Sequence, residues 1–178
     1  MTVTKEEALN LNTLKEIAKK MLLAARTAPK GKGIDHTAMA IADGDDIKNL
    51  SKKMKEIGEK FEHQAFIRDS ENILSAPIVL LLGTKIASLG LKKCGYCGFK
   101  NCAEKDKHPK IPCVFNTGDL GIAIGSAASI AMDNRVDNRI LYTAGMAAVE
   151  LGLLGKDIKI AYAFPLSATS KNPFFDRK

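Results

Sequence analysis

The 178-residue chain contains no tryptophan, and only three tyrosines and seven phenylalanines. Proteins that bind single-stranded nucleic acid stack its bases on aromatic side chains, so this scarcity argues against that class. No apolar run approaches the roughly 20 residues that a membrane-spanning helix needs. The N-terminus also lacks the apolar segment of a secretory signal peptide. We therefore expect a cytoplasmic protein that binds neither nucleic acid nor a membrane.

Cysteine is absent from the chain except in residues 92–113. This stretch holds four cysteines in the spacing C-x2-C-x4-C-x10-C, namely Cys94, Cys97, Cys102 and Cys113. Two thiols separated by two residues can reach one metal centre from a single turn. Gly95 and Gly98 each follow a cysteine, where a loop that wraps a metal centre benefits from backbone freedom.

Three interpretations of the four cysteines compete. Two structural disulfides are disfavoured, because a C-x2-C loop is short and cytosolic thiols are normally kept reduced. Four thiolates are the ligand set of both a [4Fe-4S] cluster and a structural zinc ion. Zinc ribbons usually contain two C-x2-C pairs, and this chain has one. The spacing therefore favours iron–sulfur and leaves zinc open.

The same stretch is rich in lysine. It contributes +4 to the net charge of +7, through six lysines and two acids: Lys92, Lys93, Lys100, Lys105, Lys107, Lys110, Glu104 and Asp106. Positive charge favours thiolate formation and would offer a surface to an acidic redox partner protein. An ordinary solvated loop is the alternative.

A second basic segment follows the first predicted helix. Arg26, Thr27, Ala28 and Pro29 lead into the sequence Lys30-Gly31-Lys32-Gly33. A guanidinium, two ammonium groups and glycine N–H groups within eight residues suit an anion. An ordinary solvated loop is the alternative here too.

Apolar periodicity predicts one domain over residues 1–178, in the α+β class. The unbroken apolar run after Pro77 predicts a central strand that is buried on both faces. The segment around 118–132 is rich in glycine, alanine and serine and has too little bulk to form a core alone, which predicts a homodimer. The predicted elements are helices over 5–26 and 47–61, a helical turn near 70–74, a strand over 76–83, helices over 117–132 and 137–151, and strands over 39–42 and 158–164.

Two motifs resemble known families. The string from Cys94 to Ala103 resembles the CGxCGxxxCxxxA pattern of single-cluster 4Fe-4S domains, although the gap to the fourth cysteine is shorter here. The string Ala25-Arg26-Thr27-Ala28-Pro29 resembles the ARxAPS sequence that closes the first helix of nitroreductases. Lys30 stands where that pattern has serine, and Gly33 and Asp35 replace its asparagine and glutamine. As a whole the sequence is similar to uncharacterised ferredoxin-domain-containing proteins of the DUF2148 type.

These resemblances imply a nitroreductase-like mixed sheet flanked by helices, with residues 92–113 inserted as a cluster loop. They also imply an FMN site in which cations bind the phosphate and the flavin ring lies over small residues. Its predicted residues are Arg26, Thr27, Lys30, Lys32, Gly121 and Lys171.

Three functional hypotheses follow. The leading one is a 4Fe-4S redox protein, either a flavin-dependent electron-transfer protein or an oxidoreductase of unknown substrate. The second is a ferredoxin-like electron-transfer or sensor module without flavin. The third is a zinc-stapled interaction protein. We expect His108, although it lies inside the cysteine stretch, to be incidental.

Overall fold

The computed structural model describes residues 3–175, and the side chains of all of these except residues 7–9. A single 3₁₀ turn at Gly31–Gly33 follows the first helix. In chain order the elements are α1 (Glu6–Thr27), β1 (Thr37–Asp43), α2 (Asp45–Lys60), α3 (Gln64–Ile73), β2 (Ile78–Lys85), α4 (Cys102–Lys105), α5 (Val114–Asp133), β3 (Asp137–Asn138), α6 (Tyr142–Glu150) and β4 (Ile158–Ser167). None of the helices found between residues 3 and 175 is both long enough and apolar enough to cross a membrane.

The four strands form one sheet in the order β1-β2-β4-β3. The α+β prediction is confirmed, but the expected mixed pairing is not observed, because every pair in the described chain is antiparallel. The connection between β1 and β2 explains part of this difference. It contains two helices packed as a hairpin, which return the chain to the end of the sheet where β1 stopped. A single crossover helix would have made the two strands parallel.

Strand β2 is the centre of the fold, as its apolar sequence predicted. Alternate residues of a strand point to opposite faces. Ile78, Leu80 and Leu82 pack against α1 and α5 in one core, whereas Val79 and Leu81 belong to a second core with α2, α3 and α6. Helices therefore cover both faces of the sheet.

Two helix predictions need correction. The turn expected near 70–74 is a ten-residue helix, α3, which packs along α2. The helix expected from Asp137 begins only at Tyr142, because Asp137 and Asn138 pair with β4 as strand β3. Local periodicity could not reveal this pairing, since the partner strand lies some 30 residues later in the chain.

Strand β4 runs through Pro165, where the sequence had predicted its end. Ala163 donates its N–H to Leu141 on the β3 side of the strand. By the period of two, the nitrogen of Pro165 faces the same side. The Pro165 nitrogen lies between the bridge of Leu141 to Ala163 and the pairing of Asn138 with Leu166. No backbone N–H donor is required at that position, so proline is tolerated there.

Candidate functional site

The cysteine stretch lies between β2 and α5, the central strand and a core helix. Its one regular element, α4, begins at Cys102 and is capped by Asn101, whose Oδ1 accepts from the N–H of Glu104 at 2.9 Å. Glu104 Oε2 accepts in turn from the N–H of Lys100 at 2.6 Å. These two bonds resemble a capping box and hold the chain on either side of Cys102. Cys113 is the N-cap residue of α5 and is buried.

All four cysteines line a single cavity. None of them forms a disulfide, and Cys94, Cys97 and Cys102 are each partly accessible. The other lining residues are Ser88, Tyr96, Phe99, Asn101, Lys105, Val114 and Phe115. The fold therefore brings together four thiols that the chain separates by as many as 19 positions.

The four thiols match the ligand number of two metal centres. A structural zinc ion and a [4Fe-4S] cluster both take four cysteine thiolates. Among the side chains that the structure describes, no three of His, Cys, Asp or Glu are grouped closely enough to hold one metal ion. The preference for iron–sulfur therefore rests on the spacing of the cysteines, which contains one C-x2-C pair where zinc ribbons usually have two.

Aromatic side chains form part of the cavity wall. Tyr96 stacks on Phe115 with ring centroids 6.4 Å apart and an interplanar angle of 16°. Phe99 stacks on His108 at 5.0 Å and 23°. His108 thus packs on the outside of a lining residue. Apolar walls of this kind limit the access of water to a metal centre.

The second predicted site, at the end of α1, is occupied by the protein's own groups. The Arg26 guanidinium donates from Nη1 to Asp35 Oδ2 at 2.5 Å. Asp35 Oδ1 also accepts from the N–H and the hydroxyl of Thr37, at 2.8 and 2.6 Å. Burial alone would raise the pKa of Asp35, but the bonds from Thr37 and Arg26 outweigh it and lower the pKa. Asp35 is therefore a carboxylate that neutralises Arg26.

The Lys30 side chain is hydrogen-bonded to the C-terminal end of α1. Its buried ammonium donates to the carbonyls of Ala25, Arg26 and Ala28 at 2.8, 2.8 and 2.7 Å. An ammonium group has three N–H donors, so these contacts use all of them. They also place a positive charge at the negative end of the helix dipole.

The other polar groups of this loop also have partners within the chain. The N–H of Gly31 donates to both carboxylate oxygens of Asp119 at 3.1 Å. Lys32 has a positive φ of 55°, and its ammonium donates to the carbonyl of Leu89 at 3.4 Å. Thr27 directs its hydroxyl to the carbonyl of Leu23. Thus Arg26, Lys30 and Gly31 lie close together, and each already has a partner within the chain.

The two other predicted flavin residues, Gly121 and Lys171, are not part of this loop. Gly121 is on the exposed face of α5, and an added Cβ there would meet nothing within 4 Å. Lys171 is exposed on the tail that follows Ser167, at the Ile78 end of β2. Arg26 lies near the opposite end of the sheet, next to Thr37. The β-strand rise puts about 20 Å between those ends, so one chain does not bring the start of this tail to Arg26.

The amino-acid sequence does not reveal a polar link near both sites, because its members lie far apart in the chain. Asn116 Oδ1 accepts from the N–H of Ala87 at 3.0 Å, which leaves its Nδ2 to face His36 Nδ1 at 3.1 Å. His36 Nδ1 is therefore the acceptor, and the imidazole is neutral. Burial and the charge of Lys85 lower the pKa of His36, against Asp119 and Asp35, which raise it. No local motif marks these residues.

Relatives of the chain are known from its sequence. An uncharacterised protein from Archaeoglobus fulgidus is 37% identical over 164 residues, which is 88% of each chain. The model of a family described as "Uncharacterized protein containing a ferredoxin domain (DUF2148)" matches residues 110–177. That range includes Cys113 but not the other three cysteines.

Solved structures share the fold. A BluB-like flavoprotein from Clostridium difficile 630 is 18% identical, with a TM-score of 0.57, over 96% of this chain and 86% of that one. Nitroreductase CinD from Lactococcus lactis, in complex with nicotinic acid, is 13% identical, with a TM-score of 0.63, over 96% and 82%. The predicted nitroreductase-like fold is confirmed. The solved structures show the fold alone, whereas the 37% identical relative and the family-model match show that the chain belongs to the family of uncharacterised proteins containing a ferredoxin domain (DUF2148).

Proposed function

We propose that this protein is a 4Fe-4S redox protein whose cluster is held by Cys94, Cys97, Cys102 and Cys113. The observation that carries the proposal is that all four cysteine side chains line one cavity while none is in a disulfide. The family description, which names a ferredoxin domain, points the same way. The single C-x2-C pair argues against the zinc alternative, since zinc ribbons usually contain two.

A [4Fe-4S] cluster supplies one-electron transfer when it is bound. In this chain the four thiolates would hold it, with Cys113 anchored at the start of a core helix and Cys102 at the start of α4. Tyr96, Phe99 and Phe115 would limit its contact with water. Tyr96 is 79% exposed, so its outer edge remains available to a partner surface.

Anaerobic purification or reconstitution tests the proposal directly. We expect about four iron atoms per chain and a broad absorption band near ~400 nm, as four-cysteine ligation of a cubane cluster requires. Stoichiometric zinc in place of iron after the same treatment would contradict it and leave the zinc-stapled interaction protein.

A flavin-dependent version of this function is suggested by the likeness to a flavoprotein and a nitroreductase. FMN would place its phosphate near Arg26, Thr27, Lys30 and Lys32. The residues fit it incompletely, because Asp35 and Asp119 already occupy donors of this loop and would repel a phosphate.

The pairing of Arg26 with Asp35 and of Gly31 with Asp119 favours a flavin-free electron-transfer or sensor module. Titration of the purified protein with FMN, followed by fluorescence quenching, separates the two versions. Binding at micromolar protein would support the flavin-dependent version. No quenching would mean that the resemblance to nitroreductases is one of fold.

We also propose a homodimer formed through the open face of α5. Gly118, Gly121 and Gly125 have no neighbour within 4 Å of an added Cβ, and Ile122 and Met132 on the same helix are 49% and 66% exposed. A second copy could bring its own Lys171 and the ring-binding surface at Gly121 toward the first. Size-exclusion chromatography with light scattering tests this, and a clean monomer of 19.2 kDa would contradict it.

An acidic redox partner protein remains our proposal for the lysine-rich surface around the cavity. Exposed positive charge accelerates association with an acidic protein and does so less at high salt. Electron transfer to acidic and basic small redox proteins at two ionic strengths would test it.

A further inference from the structure

The six lysines of the cysteine stretch are not equivalent in the fold. Five of them are exposed: Lys92, Lys93, Lys100, Lys107 and Lys110. Lys105 is 3% exposed and lines the cavity with the four cysteines. Salt and water screen exposed charges strongly, whereas a buried charge keeps much of its field. Lys105 is therefore the lysine with the strongest electrostatic effect on the cavity.

A buried ammonium is costly unless something compensates for its charge. Lys105 forms an ion pair with the adjacent Asp106, whose Oδ1 lies 3.7 Å from the ammonium. This distance is longer than a direct hydrogen bond. Asp106 is itself about half exposed, and its Oδ1 also accepts from the Ser88 hydroxyl at 2.5 Å. The compensation from Asp106 is thus partial. Four thiolates around the same cavity would supply the rest.

We infer that Lys105 sets the reduction potential of the metal centre that the four cysteines hold. The inference rests on the proposed cluster. A [4Fe-4S] core with four thiolates carries a charge of −2 when oxidised, and one electron from an electrode or dithionite takes it to −3. A fixed positive charge beside it stabilises the −3 form more than the −2 form. Lys105 therefore raises the potential.

Matched variants of the reconstituted protein test this inference. Lys105→Gln removes the buried charge and keeps the side-chain length, and Lys107→Gln removes an exposed charge two residues away. At the wild-type midpoint potential, the ratio of reduced to oxidised protein should fall about tenfold in Lys105→Gln, which is 59 mV for one electron. It should change less than about twofold in Lys107→Gln, because that charge is screened.

Two further variants establish the direction in which charge shifts the reduction potential. Lys105→Arg keeps the charge and should keep the potential near that of the wild type. Asp106→Asn removes the opposing charge and should raise the potential. Spectroelectrochemical titration, with iron content measured on the same samples, gives all of these values.

The outcomes separate the inference from the proposed function. Equal potentials in Lys105→Gln and Lys107→Gln, with iron intact, would overturn the role of Lys105 and leave the cluster proposal standing. Loss of iron in Lys105→Gln but not in Lys105→Arg would support a charge requirement. Loss in both would indicate a packing role and overturn the inference. A wild type that takes up no iron would refute the proposed function, and this inference with it.

Discussion

The cysteine cavity and the Arg26–Gly33 loop carry comparable sequence signals but differ in their bonding. Each places groups of suitable chemistry close together in the chain. In the cavity, four thiols surround one space and none is in a disulfide. In the loop, Arg26 is paired with Asp35, Lys30 with three helix carbonyls and Gly31 with Asp119.

The difference shows that residue type and spacing indicate what a site could bind, whereas the contacts decide whether that capacity remains available. Cysteine has few competing partners within a protein, because its thiol is a weak donor and acceptor. Arginine and lysine are strong donors that find carbonyls and carboxylates readily. A basic loop is therefore weaker support for a ligand site than a cysteine cluster is.

The largest expected effect is at Cys102. Cys102→Ser should remove or destabilise the cluster, because a serine hydroxyl is a much poorer iron ligand than a thiolate, while His108→Ser should leave it intact. Iron content and absorbance near ~400 nm after anaerobic reconstitution measure both. An intact cluster in Cys102→Ser would mean that the ligands are misassigned.

The next effect tests the basic loop. Arg26→Ala should weaken FMN binding by about 1.5 kcal/mol, the lower end for a hydrogen bond to a charged group, because Asp35 already shares this half-exposed guanidinium. Asp35→Asn should strengthen binding, since it removes a carboxylate that competes with the phosphate. Fluorescence titration measures both affinities.

Iron content is the control for these two variants and should not change in either. If Asp35→Asn weakened FMN binding as Arg26→Ala does, Asp35 would not be competing with the phosphate for Arg26, and the contrast between the two sites would be wrong.

A smaller effect would reveal packing that joins the two regions. A Cβ on Gly31 would lie 2.6 Å from Leu89 Cδ2 and 3.2 Å from Phe115 Cδ1, and Phe115 also lines the cysteine cavity. Gly31→Ala should lower the free energy of unfolding by about 1 kcal/mol, since the Leu89 end can yield in part. Urea denaturation measures it.

Gly121→Ala is the matched control for this substitution. Within one chain its Cβ would meet nothing within 4 Å. Alanine is the better helix former, so the stability of the monomer, measured at protein concentrations below those of dimer formation, should rise by up to about 1 kcal/mol. Equal unfolding midpoints for Gly31→Ala and the wild type would show that the two regions are not packed against each other in this way.

The smallest effect concerns pH. The folded-state pKa of His36 lies below its ordinary value of 6.5, because of burial and Lys85. Its contribution to stability is therefore fully present above about pH 7 and is lost as the pH falls below 6.5, where protonation removes the acceptor for Asn116. Urea unfolding at pH 7.5 and 5.5 should show a smaller loss of stability in His36→Gln than in the wild type. The same loss in both proteins would contradict this assignment.

Local pattern alone predicted much of the fold. The apolar run of β2 predicted a strand buried on both faces, and the spacing of Ile47, Leu50, Met54 and Ile57 predicted α2, whose buried face they form. The closing sequence around Arg26 predicted the end of α1 at the correct turn. These features depend on neighbours within a few residues, because burial on a sheet face or a helix face repeats with a fixed period.

What the sequence by itself determined is therefore most of the helices and strands and the grouping of the four cysteines in one stretch. Tertiary structure decided the antiparallel pairing of the sheet, the change of Asp137 and Asn138 from helix to strand, and the partners of Lys30 and His36. Each of these depends on groups that are distant in the chain or on how a side chain folds back onto the backbone. No periodicity encodes such contacts, because their free energy depends on what else occupies the same space.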